Sequence, residues 1–243
     1  MDKALFTASA AASALLERQA LISNNIANGS TPGFKETLAT QQSWLAQGAD
    51  AKAQTRIFAV QQGERANMAM GPLMSTGRSL DVALPANAFL AVEDAAGNAV
   101  YTRRGDLLID SEGALRLSSG QRVLGDGGPI VIPDGNRAQV GADGTVTAVD
   151  PQRPQAATPV GRLQIAQAPA GGAARLGDGF FSIAQPEPFG GSVAVGALEQ
   201  SNVSMAGAMA QMIEASRKFE ANLKVISELQ EVDRKASDLL SGF

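Results

Sequence analysis

The chain has 243 residues, with 20 basic and 24 acidic side chains, a net charge of −4, and a composition that is 44% hydrophobic but only 5% aromatic. That length allows one large domain or two modest ones, cored by Ala, Val, Leu and Ile, and the charge lacks the basic excess of a nucleic-acid binder. With no cysteine and no histidine, disulfides, thiolate metal sites, thiol nucleophiles and Ser-His-Asp chemistry are excluded, so no catalytic, metal or cofactor residues are predicted.

The chain opens MDKALFTASAAASALLERQ. Asp2 precedes Lys3, and Glu17-Arg18 interrupts the apolar run, so this start reads as a helix of the mature protein and not as a cleavable signal. No run of about 18 apolar residues is available to span a bilayer. Met1, Leu5, Ala8, Ala12, Leu15, Gln19, Ile22 and Ile26 step by 4 and 3 in alternation. That is a heptad seam with one polar member. A helix over 3–28 would be about 39 Å long. It runs into SNNIANGSTPGFK, residues 23–35. Gly29 is placed for a left-handed C′ position, and Pro32 lies where a helix cannot continue. Asn24, Asn25 and Asn28 form a polar helix end, with amides that could bond neighbouring chains or the last helical carbonyls. Gly29, Pro32 and Gly33 are the predicted turn, and Phe34 is the predicted anchor of the exit, against the next segment or another subunit.

Residues 36–76 read as a linker of uncertain structure. ETLATQQSWLAQ is compatible with a short helix carrying Trp44, and TRIFAV with a strand. From 77 to 196 the pattern is β-rich. Short apolar runs such as FLAVED, ALRLS and TVTAV alternate with Gly, Asp-Gly and Asn turns, as in an antiparallel sandwich or barrel. DPQRPQAATP at 150–159 reads as a polar surface connection.

The C-terminal stretch from Asn202 to Leu240 holds no proline and one glycine, Gly207. Asn202 or Ser204 could cap a helix there. Met205, Met209, Met212, Ser216, Phe219, Leu223 and Ile226 step by 4 and 3, and Leu229 and Val232 continue at steps of three, a local overwinding or a change of face. A helix of about 37 residues would approach 55 Å.

Neither terminal seam can bury itself alone. The predicted class is α+β: a discontinuous, coiled-coil-like domain of residues 1–35 with 197–243, and a β domain inserted between. One helix pair still leaves apolar stripes uncovered, which marks a surface for further chains. The Asp-Gly loops lack the ligand spacing of a calcium loop. The methionines read as adaptable packing. Asp81, Glu93, Asp94, Asp106 and Asp110 are the only route to a carboxylate-dependent enzyme, and nothing in their spacing pairs them.

ALFTASAAASALLERQALISNNIANGSTPGFK at the N-terminus, SLDVAL and YTRRGDLLIDSEGALRLSSGQRVLG in the middle, and LEQSNVSMAGAMAQMIEASRKFEANLKVI at the C-terminus occur in that order. Together they resemble the flagellar rod and hook proteins. The length is similar to that of the rod members with a single β domain, and MDKALFTA and PVGRLQI resemble the proximal type. A distal-rod or hook-type protein is the alternative. The resemblance departs at PANAFL, 85–90, and at Phe219. It implies a structural subunit of the basal-body rod, polymerising through its terminal helices into a torque-bearing shaft. It implies export by the flagellar type III apparatus to the periplasm. The implied partners are other rod proteins, copies of itself and a rod cap, with no nucleic acid, substrate or membrane insertion. The implied contact residues are the seam residues, Asn24, Asn25, Asn28 and Phe34.

Overall fold

The computed structural model describes residues 2–45, 57–169 and 171–241. Two long helices and an extensive set of antiparallel strands make the class α+β. The chain divides into two compact units.

The helical unit comprises Met1–Ala27, Thr37–Arg65 and Ser204–Phe243. Helix α1 spans Asp2–Ala27 and helix α2 spans Met205–Ser241. Gln19 Nε2 donates to Ser216 Oγ at 3.1 Å, and Asn222 Nδ2 donates to the Ala8 carbonyl at 2.9 Å. Later positions on α1 thus meet earlier ones on α2, and the pair runs antiparallel. On α1, Leu5, Ala8, Ala12, Leu15, Gln19, Ile22 and Ile26 are all buried or half-buried. Met1 lies outside the described residues.

The inner stripe of α2 shares Met212, Phe219, Ile226 and Leu229 with the expected seam and departs from it elsewhere. Ala208, Met212, Ala215, Phe219, Asn222, Ile226 and Leu229 are buried or half-buried, at alternating steps of 4 and 3. Met205, Met209, Leu223 and Val232 are exposed instead. The reason is steric: a stripe holding the small Ala208 and Ala215 lets two helices approach closely, so Met205 and Met209 are left on the outer side.

The segment expected as a short helix is a strand, Thr37–Leu45, paired with Ile57–Ala66 in a two-stranded sheet. TLATQQS has no 3–4 apolar period to hold a helix, and backbone pairing with the second strand satisfies its polar groups. Residues 46–56 of this segment lie outside the described residues.

The β unit comprises Asn28–Glu36 and Ala66–Val203. Its main sheet runs, in spatial order, Ala173–Gly177, Phe180–Ile183, Ala99–Thr102, Ala88–Glu93, Arg122–Gly125, Leu115–Leu117 and Leu107–Ile109. Ala88–Glu93 is central and buried on both faces. Ala88, Leu90 and Val92 face one core with Leu107, Leu115 and Val123. Phe89 and Ala91 face a second core with Tyr101, Phe181 and Ile183, where Phe89 and Phe181 meet edge-on at 5.4 Å. The period-2 geometry of a strand delivers successive side chains to opposite faces.

A three-stranded sheet joins Arg137–Val140, Thr145–Asp150 and Arg153–Arg162. The last of these replaces most of the expected surface connection. It is an edge strand whose register shifts twice, the setting in which proline is tolerated. At PANAFL, Asn87 adopts φ 61°, the left-handed turn conformation that Asn takes more readily than most residues.

The unit boundaries differ from the expected ones. Asn28–Glu36 and Ala197–Glu199 belong to the β unit, where Ala197–Glu199 pairs with Leu73–Ser75. Phe34 and Leu198 are buried there, which is the cause of the shift.

Candidate assembly interface and its anchor

Inside the β unit, the segment after α1 and the segment before α2 are bound side by side. The Gly33 amide donates to the Glu199 carbonyl at 2.7 Å. Asn202 Oδ1 accepts from the Glu36 amide at 2.7 Å, and Asn202 Nδ2 donates to the carbonyls of Asn67 and Ala69. Asn202 is therefore a tie between segments rather than a helix cap, and Ser204 Oγ accepts from the Gly207 amide instead. Gly33, not Gly29, takes the left-handed conformation, with φ +69°. A Cβ on Gly33 would lie 2.4 Å from the Arg103 backbone, so the turn requires glycine for space as well as for φ.

The centre of this junction is a buried ion triad. Lys35 Nζ donates to Glu199 Oε1 at 2.5 Å and to the Ala69 carbonyl at 2.8 Å. Arg103 pairs with Glu199 Oε2 through Nε and Nη2, and donates to the carbonyls of Leu84, Pro85 and Ala88. The Gly71 amide donates to Glu199 Oε1 at 2.9 Å. The three charged side chains are at most 1% exposed. A cation this deep requires a counter-charge and filled hydrogen bonds, and the site supplies both. Burial alone would raise the Glu199 carboxyl. The Arg103 charge, the Lys35 bond and the Gly71 amide outweigh it and hold the carboxyl below its ordinary value. Burial, opposed by Glu199, pulls the Lys35 ammonium below its ordinary value. The Glu199 direction follows from two cations sharing one anion; the Lys35 direction follows from its burial, with the Arg103 charge acting in the same sense.

A carboxyl lowered on folding contributes fully above its unfolded value, about 4.3, and loses its contribution as pH falls through the lower folded value. Asp106 adds in the same sense, because bonds from Arg104 and Ser118 outweigh its burial. The urea midpoint of the β unit is expected to drop below about pH 4, with a shallower drop in Glu199→Gln. An identical slope in parent and variant would contradict the ionised triad.

The predicted interface residues divide three ways. Leu5, Leu15, Ile22, Ile26, Met212, Phe219, Ile226 and Leu229 lie on the faces by which α1 and α2 cover each other. Met205, Met209, Leu223 and Val232 stand on the uncovered side of α2, with Ile213 and Val225. Asn25 and Phe34 find partners within the chain; the alternatives expected were a neighbouring chain or the last helical carbonyls for Asn25, and the next segment or another subunit for Phe34. Asn25 exchanges two bonds with the Thr37 backbone, at 2.9 and 2.8 Å, and its amide acts as a surrogate strand residue. Phe34 is 1% exposed under the Arg175 guanidinium, 5.3 Å from its ring centre. Asn28 caps its own turn, accepting from the Thr31 amide and hydroxyl, and Asn24 is half-buried at the end of α1. Gly29 and Pro32 are half-buried beside that turn.

Sequence reasoning missed the triad, because Lys35, Arg103 and Glu199 are far apart and each reads as surface charge. Asp81 and Asp106 do come together, in an isolated antiparallel bridge. Each already has a cation: Arg78 at 3.5 Å from Asp81 and Arg104 at 2.7 Å from Asp106. No cluster of three or more metal-ligating side chains occurs among the described residues.

Three family models match, in the order of the sequence motifs. They are the flagella basal body rod protein model at 5–35, the flagellar hook protein FlgE/F/G D1 domain at 83–148 and the flagellar basal body rod FlgEFG protein C-terminal model at 194–239. The flagellar basal-body rod protein FlgF of Escherichia coli K12 is 38% identical over 252 residues, covering 99% of both chains. The FlgF of Salmonella typhimurium matches at the same identity and coverage. FlgG of Bacillus subtilis is 31% identical and covers 87% of this chain and 89% of its own. The conjunction of both terminal motifs, the β-domain match and full-length similarity places the chain in the flagellar basal-body rod protein family, as a FlgF-like member.

Proposed function

We propose that the chain serves as a structural subunit of the bacterial flagellar basal-body rod and joins it through its terminal helices. One observation carries the helix-borne part: the α1–α2 pair covers one stripe of each helix and leaves a second uncovered. Leu16 on α1, and Met209, Ile213, Val225 and Val232 on α2, are about half exposed or more. Apolar stripes of this extent favour burial against further helices. Contacts of this kind that repeat head to tail without closing build a filament, which suits a shaft under torque. We read the helix pair as coiled-coil-like and the β unit as a sandwich with two cores. The neighbours are other rod proteins and copies of the chain. The export apparatus and a rod cap are its transient partners, and the rod is reached in the periplasm.

Deleting α1, residues 2–27, is expected to abolish incorporation into rods and motility, while β-unit amides in the purified protein keep their protection from exchange. Motile cells whose rods contain the truncated chain would refute assembly through the helices.

A further inference from the structure

The triad joins parts of the chain that are distant in sequence. Lys35 lies 164 residues before Glu199, and Arg103 lies 96 before it. Glu199 ends Ala197–Glu199, the last strand of the β unit. Its carboxylate takes the Gly71 amide, and its carbonyl takes the Gly33 amide. Without Glu199 the site would hold two like charges with no anion between them, faced by the Ala69 carbonyl for Lys35, and by the carbonyls of Leu84, Pro85 and Ala88 and the Phe89 ring for Arg103. Carbonyl dipoles solvate a cation but do not neutralise it, and a dry site holding two uncompensated cations is strongly disfavoured. The segments around residues 33–35, 69–71, 84–88 and 103 therefore cannot close and exclude water before the carboxylate arrives.

We propose that docking of Glu199 is part of the rate-limiting step in folding of the β unit, so that the unit stays open in any chain whose first 198 residues alone are available. Local hairpins such as Ala88–Glu93 with Ala99–Thr102 are free to pair early, since they need no distant partner, but an isolated hairpin is only marginally stable in water, so its amides gain lasting protection only when the core closes. Core closure waits for Glu199, after which little but α2 remains of the chain. A chain delivered N-terminus first, as in synthesis, completes its β unit only near its end. This inference is independent of the rod reading, because it concerns the order of folding within one chain.

The test is refolding of the full chain from denaturant, with pulsed hydrogen exchange and mass spectrometry reading Ala88–Glu93 and Leu115–Leu117. In E199Q both segments are expected to gain protection about tenfold more slowly than in the parent, or slower still. K35M keeps the Arg103–Glu199 pair and is expected to fold within about threefold of the parent. The triple variant K35M/R103M/E199L removes every charge of the site and is expected to return close to the parent rate. The proposal is overturned if E199Q gains protection as fast as the parent and only loses it faster. If E199Q is never protected, the triple variant decides: recovered protection supports the proposal, and its continued absence overturns it.

Discussion

Replacing Glu199 with Leu is expected to cost the β unit about 3–5 kcal/mol, the range found when one member of a buried ion pair is removed. The variant strips the counter-charge from Lys35 and Arg103 together, and it leaves the Gly71 amide without its acceptor. Domains of this kind are stable by only about 5–15 kcal/mol, so a large part of the folded population would be lost on mild heating. Lys35→Met is expected to cost less. Arg103 would still be paired with Glu199, bonded to three carbonyls and stacked 5.9 Å above the Phe89 ring. Urea unfolding followed by exchange protection in Ala88–Glu93 measures both. A loss under about 1 kcal/mol for Glu199→Leu, the scale of an exposed pair, would show that the triad is not an anchor.

The second large effect separates the two faces of the helix pair. Ile22 is 4% exposed on the covered face of α1. Ile22→Asp would remove a buried aliphatic group and place a carboxylate in its stead, at a cost of about 3–5 kcal/mol to the α1–α2 pair. Ile213 is 56% exposed on the other side of α2. Ile213→Asp is expected to leave the free protein's helix content within a few per cent of the parent, judged on surface substitutions of this kind, and yet to block incorporation into rods. Far-ultraviolet dichroism reads the first effect and basal-body composition the second. Normal incorporation of Ile213→Asp would remove the uncovered stripe from the assembly surface.

The seam of α1 was legible because its apolar residues follow one 4–3 register that a single neighbour can cover. On α2 the same rule found Met212, Phe219, Ile226 and Leu229 of the covered stripe and missed its small and polar members. Large side chains dominate any count of apolar period, whereas the covered stripe relies on Ala208, Ala215 and the bonded Asn222. Most strands of the β unit were legible from turn chemistry, since Gly97, Gly113 and Gly144 all take the left-handed conformation between paired strands. The strand Arg153–Arg162 was hidden by its prolines, which an edge position with bulges accommodates. Thr37–Leu45 was hidden because its partner strand lies beyond a stretch that shows no pattern. The junction was read as an end for α1 and found to be a binding site for two segments. Nothing local to Lys35, Arg103 or Glu199 distinguishes them from solvated charges; only the closeness of residues 35, 103 and 199 in space gives them their role.

Assembly through the terminal helices is tested most directly by a cryo-electron density map of an intact basal body in which this chain can be traced. Leu16, Met209, Ile213, Val225 and Val232 should lie against apolar side chains of neighbouring subunits along the shaft. A map in which these residues face solvent, with the chain held in the rod through its β unit alone, would contradict it.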